Sequence, residues 1–254
     1  MNRTLRDRVV VVTGASRGLG RQIALACAGR GARVGLLARS AEPLQEVAAA
    51  VAALGSDARA WPMDVRDAAA VRATVDEVIA RWGRIDVLVN AAGAKIEGPV
   101  EQADPDDVRR LFEVNCLGPM TLCQAVLPHM RRQGCGHVVN VSSVLGKRAT
   151  PMRGAYAASK AALNALTDAL RTEVRGTGIR VTLVCSGRLA PGSTNGLLVS
   201  SEQGAAERIV RCIERPSREV VLTAAARVLV GLNVLMPGVV DWIVTRWRTG
   251  EERS

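Results

Sequence analysis

Short, uninterrupted apolar runs alternate with Ala- and Leu-rich helical segments along almost the whole chain, and few architectures accept that pattern. Arg8–Val12, Arg33–Leu37, Ala58–Trp61, Asp86–Val89, Gly136–Val141 and Ile179–Cys185 read as strands, with Glu219–Thr223 as a last candidate. None shows the in–out alternation of a sheet with a wet face, so the strands are expected to be buried on both sides, as in parallel sheets. Between them, Ala41–Leu54, Ala68–Arg81, Pro105–Arg132 and Gly154–Gly176 carry helical periodicity. Strand, helix, strand repeated this way predicts an α/β fold with right-handed crossovers: a doubly wound, seven-stranded parallel sheet flanked by helices. No linker-like stretch interrupts the 254 residues, so a single domain over 1–254 is expected.

Directly after the first strand stands Thr13-Gly14-Ala15-Ser16-Arg17-Gly18-Leu19-Gly20, which runs into the helical segment Arg21–Ala28. Glycines here allow a sharp turn, let backbone N–H groups approach a pyrophosphate and let the helix pack on the strand; the helix N-terminus adds partial positive charge. Strand before and helix after make this a Rossmann-type dinucleotide turn rather than a plain tight turn. The end of the second strand tells which dinucleotide. An acid there would accept from a ribose 2′-hydroxyl and repel a 2′-phosphate, but the chain has Leu37-Ala38-Arg39-Ser40, with Arg17 available from the first turn. Two guanidiniums and no carboxylate predict NADP(H).

Tyr156-Ala157-Ala158-Ser159-Lys160 sets a phenol and an ammonium at i and i+4, on one face of a helix. A neighbouring cation is what a tyrosine needs to work as an acid–base near neutrality. Tyr156 is also the only tyrosine. Thirteen residues earlier, Ser143 ends the strand segment that starts at Val138, and the carboxyl ends of such strands are where ligands bind.

With these motifs the sequence resembles the short-chain dehydrogenase/reductase family. The Thr13–Gly20 turn, Asp64-Val65, Asn90-Ala91-Ala92-Gly93, Asn115, Ser143 and the Tyr156/Lys160 pair follow its motifs in order and spacing over about residues 6–187. The resemblance implies hydride transfer between a nicotinamide and a carbonyl or alcohol. It implies Tyr156 as general acid, Ser143 holding the substrate oxygen, Lys160 lowering the Tyr156 pKa and binding the nicotinamide ribose, and Asn115 seating a relay water. Asp64 and Val65 would contact the adenine; Asn90, with Ala91 and Gly93, would line the cofactor cleft, and Tyr156 and Gly187 would also contact the cofactor. It also implies a homo-oligomer, with Pro105–Arg132 and Gly154–Gly176 at the interface. The chain departs from the family after the sixth strand: Ser186 stands where Pro is expected before Gly187, and Pro191 where a Thr would touch the carboxamide. Ser193 or Thr194 is the available substitute. The Gly- and Ser-rich stretch from Arg188 to about Gly204 reads as a short mobile lid over the substrate.

The expected activity is therefore reduction of a carbonyl, or oxidation of an alcohol, on an apolar small molecule. The alternatives are an NADP-binding relative with little redox activity and an interaction role, or a dehydratase or epimerase using the same residues. Composition bounds these readings. With 2% aromatic and 48% hydrophobic residues the core must be aliphatic. The net charge of +10 has no basic run and few aromatics to stack on bases, which argues against nucleic acid. Its positive blocks, residues 1–60 and 131–206, hold the glycine turn and the Ser143–Lys160 segment. Lys147, Arg148 and Arg153 read as solvated charge rather than as a site for an anionic or carrier-linked substrate. Six cysteines without a C-x-x-C pair and two histidines without ligand partners give no disulfide or metal signal. No charged start leads into an apolar run, so a cytoplasmic protein is expected.

The tail is unusual. Ala224–Leu235 is nearly all apolar, Pro237-Gly238 breaks it, and Val239, Val240, Ile243, Val244 and Trp247 form a second apolar stripe. Arg227, Asn233, Asp241 and the proline argue against a membrane span. The tail, about 224–248, is expected either to pack over the substrate cleft or a subunit partner, or to lie in a membrane interface with Trp242, Trp247, Arg246 and Arg248 as anchors.

Overall fold

The computed structural model describes residues 4–190 and 199–251, apart from the side chains of 247–251. The strands are β1 (Val9–Thr13), β2 (Arg33–Ala38), β3 (Ala58–Pro62), β4 (Val87–Asn90), β5 (Gly136–Ser143), β6 (Ile179–Ser186), a short pair β7 (Arg188–Ala190) and β8 (Val199–Ser201), and β9 (Glu219–Val221). The main sheet has seven strands in the order β3-β2-β1-β4-β5-β6-β9, every neighbour parallel. The order reverses between β1 and β4, which opens a crevice at their carboxyl ends.

Helices α1 (Gly18–Ala28), α2 (Ala41–Ala53), α3 (Ala68–Trp82), α4 (Pro105–Phe112), α5 (Gly118–Gln133), α6 (Gly154–Glu173) and α7 (Glu202–Glu214) flank the sheet, and α8 (Ala224–Leu235) and α9 (Pro237–Glu251) form the tail. Both faces of the sheet are covered, as the continuous apolar runs require. Val10, Val12, Val87 and Val89 pack under α1, α2 and α7, while Val9, Val11 and Leu88 pack under α3 and α5.

Two expectations are corrected. The Pro105–Arg132 helix is broken by a π-helical turn at Glu113–Leu117. Pro119 has no N–H, so the i→i−4 bond that would end on the Asn115 carbonyl cannot form. The stretch read as a loop from Arg188 to about Gly204 is only partly one: β7 pairs in parallel with β8, and α7 begins at Glu202. Ala205, Ala206, Ile209, Val210 and Ile213 bury the face of α7 that covers α1 and the sheet. Pro191, Ser193 and Thr194 lie outside the described residues.

Candidate active site

The glycine turn is built as its chemistry demands. The Thr13 hydroxyl accepts from the N–H groups of Ala91 and Ala92, both at 3.0 Å, and so locks the end of β1 to the segment after β4. Gly14 sits at φ +67°, and a Cβ there would stand 2.8 Å from Ala92 Cα; a Cβ on Gly20 would stand 2.2 Å from the Gly14 carbonyl oxygen. Helix α1 opens with no capping side chain and no acid in its own first turn, which leaves its first N–H groups without a capping partner, while the Glu202 carboxylate of α7 stands over Gly18, 3.3 Å from where a Cβ would lie. Ser16 is half-buried, Leu19 packs on the core, and Arg17 is exposed. Arg39, exposed at the end of β2, lies close enough to Asp64 to help hold its carboxyl below the usual range, although hydrogen bonding from Arg66 is the larger cause. That carboxylate is engaged by Arg66 through Nε (3.0 Å) and Nη2 (2.7 Å). Val65 is buried against Gly118.

Asn90 is 1% exposed and donates to Asn140 Oδ1 at 2.8 Å, so its side chain ties β4 to β5 inside the sheet instead of facing a cleft. Ala91 is partly buried against the core, whereas Gly93 is exposed, and a Cβ there would lie 3.4 Å from Asn115 Oδ1 and 3.8 Å from Lys160 Nζ.

Ser143, Tyr156, Lys160 and Asn115 converge at the carboxyl edge of β5. The Tyr156 phenol faces Ser143; burial pushes its pKa up, and Ser143 and the Arg153 guanidinium pull it back. Ser143 Oγ also donates to the Ser186 carbonyl (3.4 Å). Lys160 Nζ donates to the Val141 carbonyl (3.0 Å), so the cation acting on the phenol here is Arg153. Asn115 is fully buried: its Oδ1 accepts from Ala94 N (2.9 Å), and its Nδ2 donates to Ala94 O and Ser159 Oγ (both 3.0 Å). Both side-chain amide hydrogens of Asn115 are thus engaged, and Pro119 deprives its backbone carbonyl of the α-helical i+4 donor.

Burial, and secondarily the Lys95 ammonium, lower the Lys160 pKa to about 8 from 10.5. The unfolded chain therefore binds more protons than the folded one between those values. The group's contribution to stability rises as pH climbs from about 8 to 10.5. Buried Cys27, Cys123 and Cys185, pushed up to about 12, act in the opposite direction above pH 9. Urea midpoints of wild type and Lys160→Met should diverge over this window, with wild type gaining relative to the variant; parallel curves would contradict the shift.

A polar lattice under α6 has no counterpart in the sequence reading. Asn140 Nδ2 donates to Thr167 Oγ1 (2.9 Å), Ser142 Oγ to Asn164 Oδ1 (2.6 Å) and Asn164 Nδ2 to the Gly146 carbonyl (3.0 Å). The signal was present: Lys160, Asn164 and Thr167 follow i, i+4, i+7 on the buried face of α6. Ser186, in the place of the expected proline, donates from Oγ to the Ser142 carbonyl (3.0 Å) and so ties β6 to β5. Gly187 lies against Thr223, whose Oγ1 would be 2.8 Å from a Cβ at that position. The cations flanking the mouth are paired: Lys147 with Glu219 (2.8 Å), Arg153 with Glu97 (2.9 Å) and Arg148 with Asp241.

A protein-family model for short chain dehydrogenases matches residues 8–198, a stretch that holds every candidate from Gly14 to Gly187. The chain belongs to the short-chain dehydrogenase family. Among relatives of this family, a ketoacyl reductase, HetN, of Nostoc sp. is 34% identical, covering 96% of this chain and 90% of its own. Dehydrogenase/reductase SDR family member 7B of Bos taurus is 36% identical, over 94% of this chain and 80% of its own. Among solved structures, a metagenomic short-chain oxidoreductase in complex with NADP is 36% identical with a TM-score of 0.77, covering 85% of this chain and 97% of that one. A short-chain dehydrogenase from Streptomyces avermitilis is 32% identical with a TM-score of 0.81, over 97% of both chains.

Proposed function

We propose that this short-chain dehydrogenase family member is an NADP(H)-dependent oxidoreductase that interconverts a carbonyl and a primary or secondary alcohol on an apolar small molecule. The observation that carries the reading is the meeting of Ser143, Tyr156 and Lys160 at the carboxyl end of β5, where Lys160 donates to the Val141 carbonyl, on the side of the sheet that also carries the glycine turn. The turn fits a dinucleotide: Gly14 and Gly20 leave no room for a side chain, and α1 is uncapped. Bound there, the nicotinamide supplies or accepts the hydride at the carbonyl carbon. Arg17 and Arg39 would hold the 2′-phosphate, with Ser16, Gly18, Leu19 and Gly20 along the pyrophosphate and Asp64 and Val65 at the adenine end.

Hydride delivery builds negative charge on the carbonyl oxygen, and that oxygen needs a proton donor and a fixed hydrogen bond. Tyr156 gives the proton, and Ser143 holds the oxygen. Arg153 favours the phenolate left behind. Lys160 would hold the nicotinamide ribose, and a water seated by Asn115 would serve as the proton relay. Because Lys147, Arg148 and Arg153 are neutralised by acids, the mouth offers little to a polyanionic substrate and suits an apolar one. In the same reading the chain works as a homo-oligomer through α5 and α6.

Turnover is tested with NADPH and a carbonyl panel, followed by nicotinamide absorbance. Cofactor binding without turnover on any substrate would favour a non-redox role. Arg39→Ser is expected to weaken NADPH binding by about 10- to 100-fold, the scale of one or two charge-assisted hydrogen bonds, and to leave NADH unchanged. Equal losses for both cofactors would remove the 2′-phosphate assignment.

A further inference from the structure

The two tail helices show a face that no other described part of the protein covers. Val228, Val234, Leu235, Met236, Val239 and Trp242 are six of the ten exposed large apolar side chains among the described residues. On the opposite side of the tail Ala226, Val240 and Val244 are buried, where α8 and α9 pack on each other. The apolar stripe of α9 thus has two faces, one used for packing and one left outward. Three consecutive residues form the corner where α8 meets α9: Val234 and Leu235 are 77% and 79% exposed, and Met236 is 52% exposed. So much exposure on successive large apolar residues describes a projecting tip rather than a groove.

The charges of the two tail helices lean positive. Between residues 224 and 246 the only acid is Asp241, and Arg148 from the segment after β5 pairs with it. Arg227 and Arg246 are the cations of the same stretch, and the Arg246 guanidinium stacks over the Trp242 ring at 4.8 Å. An apolar tip, a tryptophan on the helix that leads from it and arginines farther along both helices, on a chain of net charge +10, complement a bilayer with anionic headgroups. A flat, self-complementary patch of roughly 800 Å² per subunit would be the mark of a second copy, and a projecting corner is poorly shaped for one. No described helix is long and apolar enough to cross a membrane, so the contact is with the surface.

We propose that the α8–α9 corner is a docking tip that inserts into the interface of an anionic lipid bilayer. The Arg148–Asp241 pair ties α9 to the segment that follows Ser143, and Thr223 at the start of α8 abuts Gly187. Docking therefore holds the carboxyl edge of the sheet, where the candidate site lies, close to the lipid. The inference goes beyond the redox reading, and its test needs no turnover.

The test is co-sedimentation of the full chain with vesicles of phosphatidylcholine alone or mixed with phosphatidylglycerol. Wild type should pellet with the mixed vesicles, less so as salt is raised. A Val234→Glu/Leu235→Glu variant, altered only at exposed positions, should lose at least about ten-fold in the bound fraction at an unchanged thermal midpoint, since two charges at an inserting tip oppose burial. Trp242→Ala should weaken binding less and in the same direction. Undiminished pelleting of the double variant, or equal pelleting with phosphatidylcholine alone, would overturn the assignment. So would a double variant that turns a wild-type oligomer into monomers while wild type ignores both vesicles; the corner would then be a subunit contact.

Discussion

Tyr156→Phe is expected to lower kcat by about 10²- to 10⁴-fold, the usual worth of a positioned proton donor, with NADPH binding essentially unchanged. The asymmetry follows from where the side chain sits. Tyr156 lies in the first turn of α6 and is 9% exposed, so removal of one oxygen leaves the buried ring in place. What disappears is the hydroxyl that faces Ser143 and feels Arg153. Burial alone would make this phenol a worse acid, and these two neighbours oppose it. Steady-state rates from nicotinamide absorbance and a cofactor fluorescence titration separate the two effects. A Phe variant with wild-type kcat would take Tyr156 out of the proton transfer; a variant that no longer binds NADPH would show that the phenol holds the cofactor and not the proton.

The fold was legible wherever its cause is local. Seven strands were placed to within a few residues because a sheet covered on both faces leaves continuous Val-rich runs. The glycine turn was legible because its strand and helix adjoin it in sequence. The parts missed depend on partners far away in the chain. Helix α7 begins inside the Gly- and Ser-rich stretch that reads as a loop to about Gly204, and its buried face of Ala205, Ile209 and Ile213 has its reason in α1. The π-turn at Asn115 hides inside a helical periodicity that runs through it unbroken; Pro119, four residues on, was the local sign. Asn90 was assigned to the cleft by motif, and only the register with β5 shows it facing Asn140. Lys160 was paired with Tyr156 by i, i+4 spacing, which sets two side chains on one face but not their contacts: its ammonium goes to Val141. For the tail, sequence offers packing or a membrane interface, because an apolar stripe does not say which of its residues are covered; the structure buries Val240 and exposes Trp242.

Gly20→Ala carries the other large effect. A Cβ there would lie 2.2 Å from the Gly14 carbonyl oxygen and 2.7 Å from its carbon, both backbone atoms of the turn itself. No rotamer relieves such a clash, so either α1 moves off β1 or the turn opens, and in both cases the N–H groups leave the position where a pyrophosphate would meet them. Overpacking of this kind costs about 1–3 kcal/mol or more in stability. NADPH affinity is expected to fall by about 10²-fold, equivalent to about 2.7 kcal/mol. The control is at the other end of the same helix. Gly29 has φ −59°, and a Cβ would meet nothing closer than 3.6 Å, so Gly29→Ala should leave cofactor binding alone and raise stability by about 0.4–1 kcal/mol through the unfolded chain. Urea unfolding and NADPH titration of the two variants decide the matter. If Gly20→Ala bound NADPH like wild type, the turn would not be the pyrophosphate site; if both variants lost affinity alike, the loss would come from helix α1 as a whole and not from the close approach of Gly20 to Gly14.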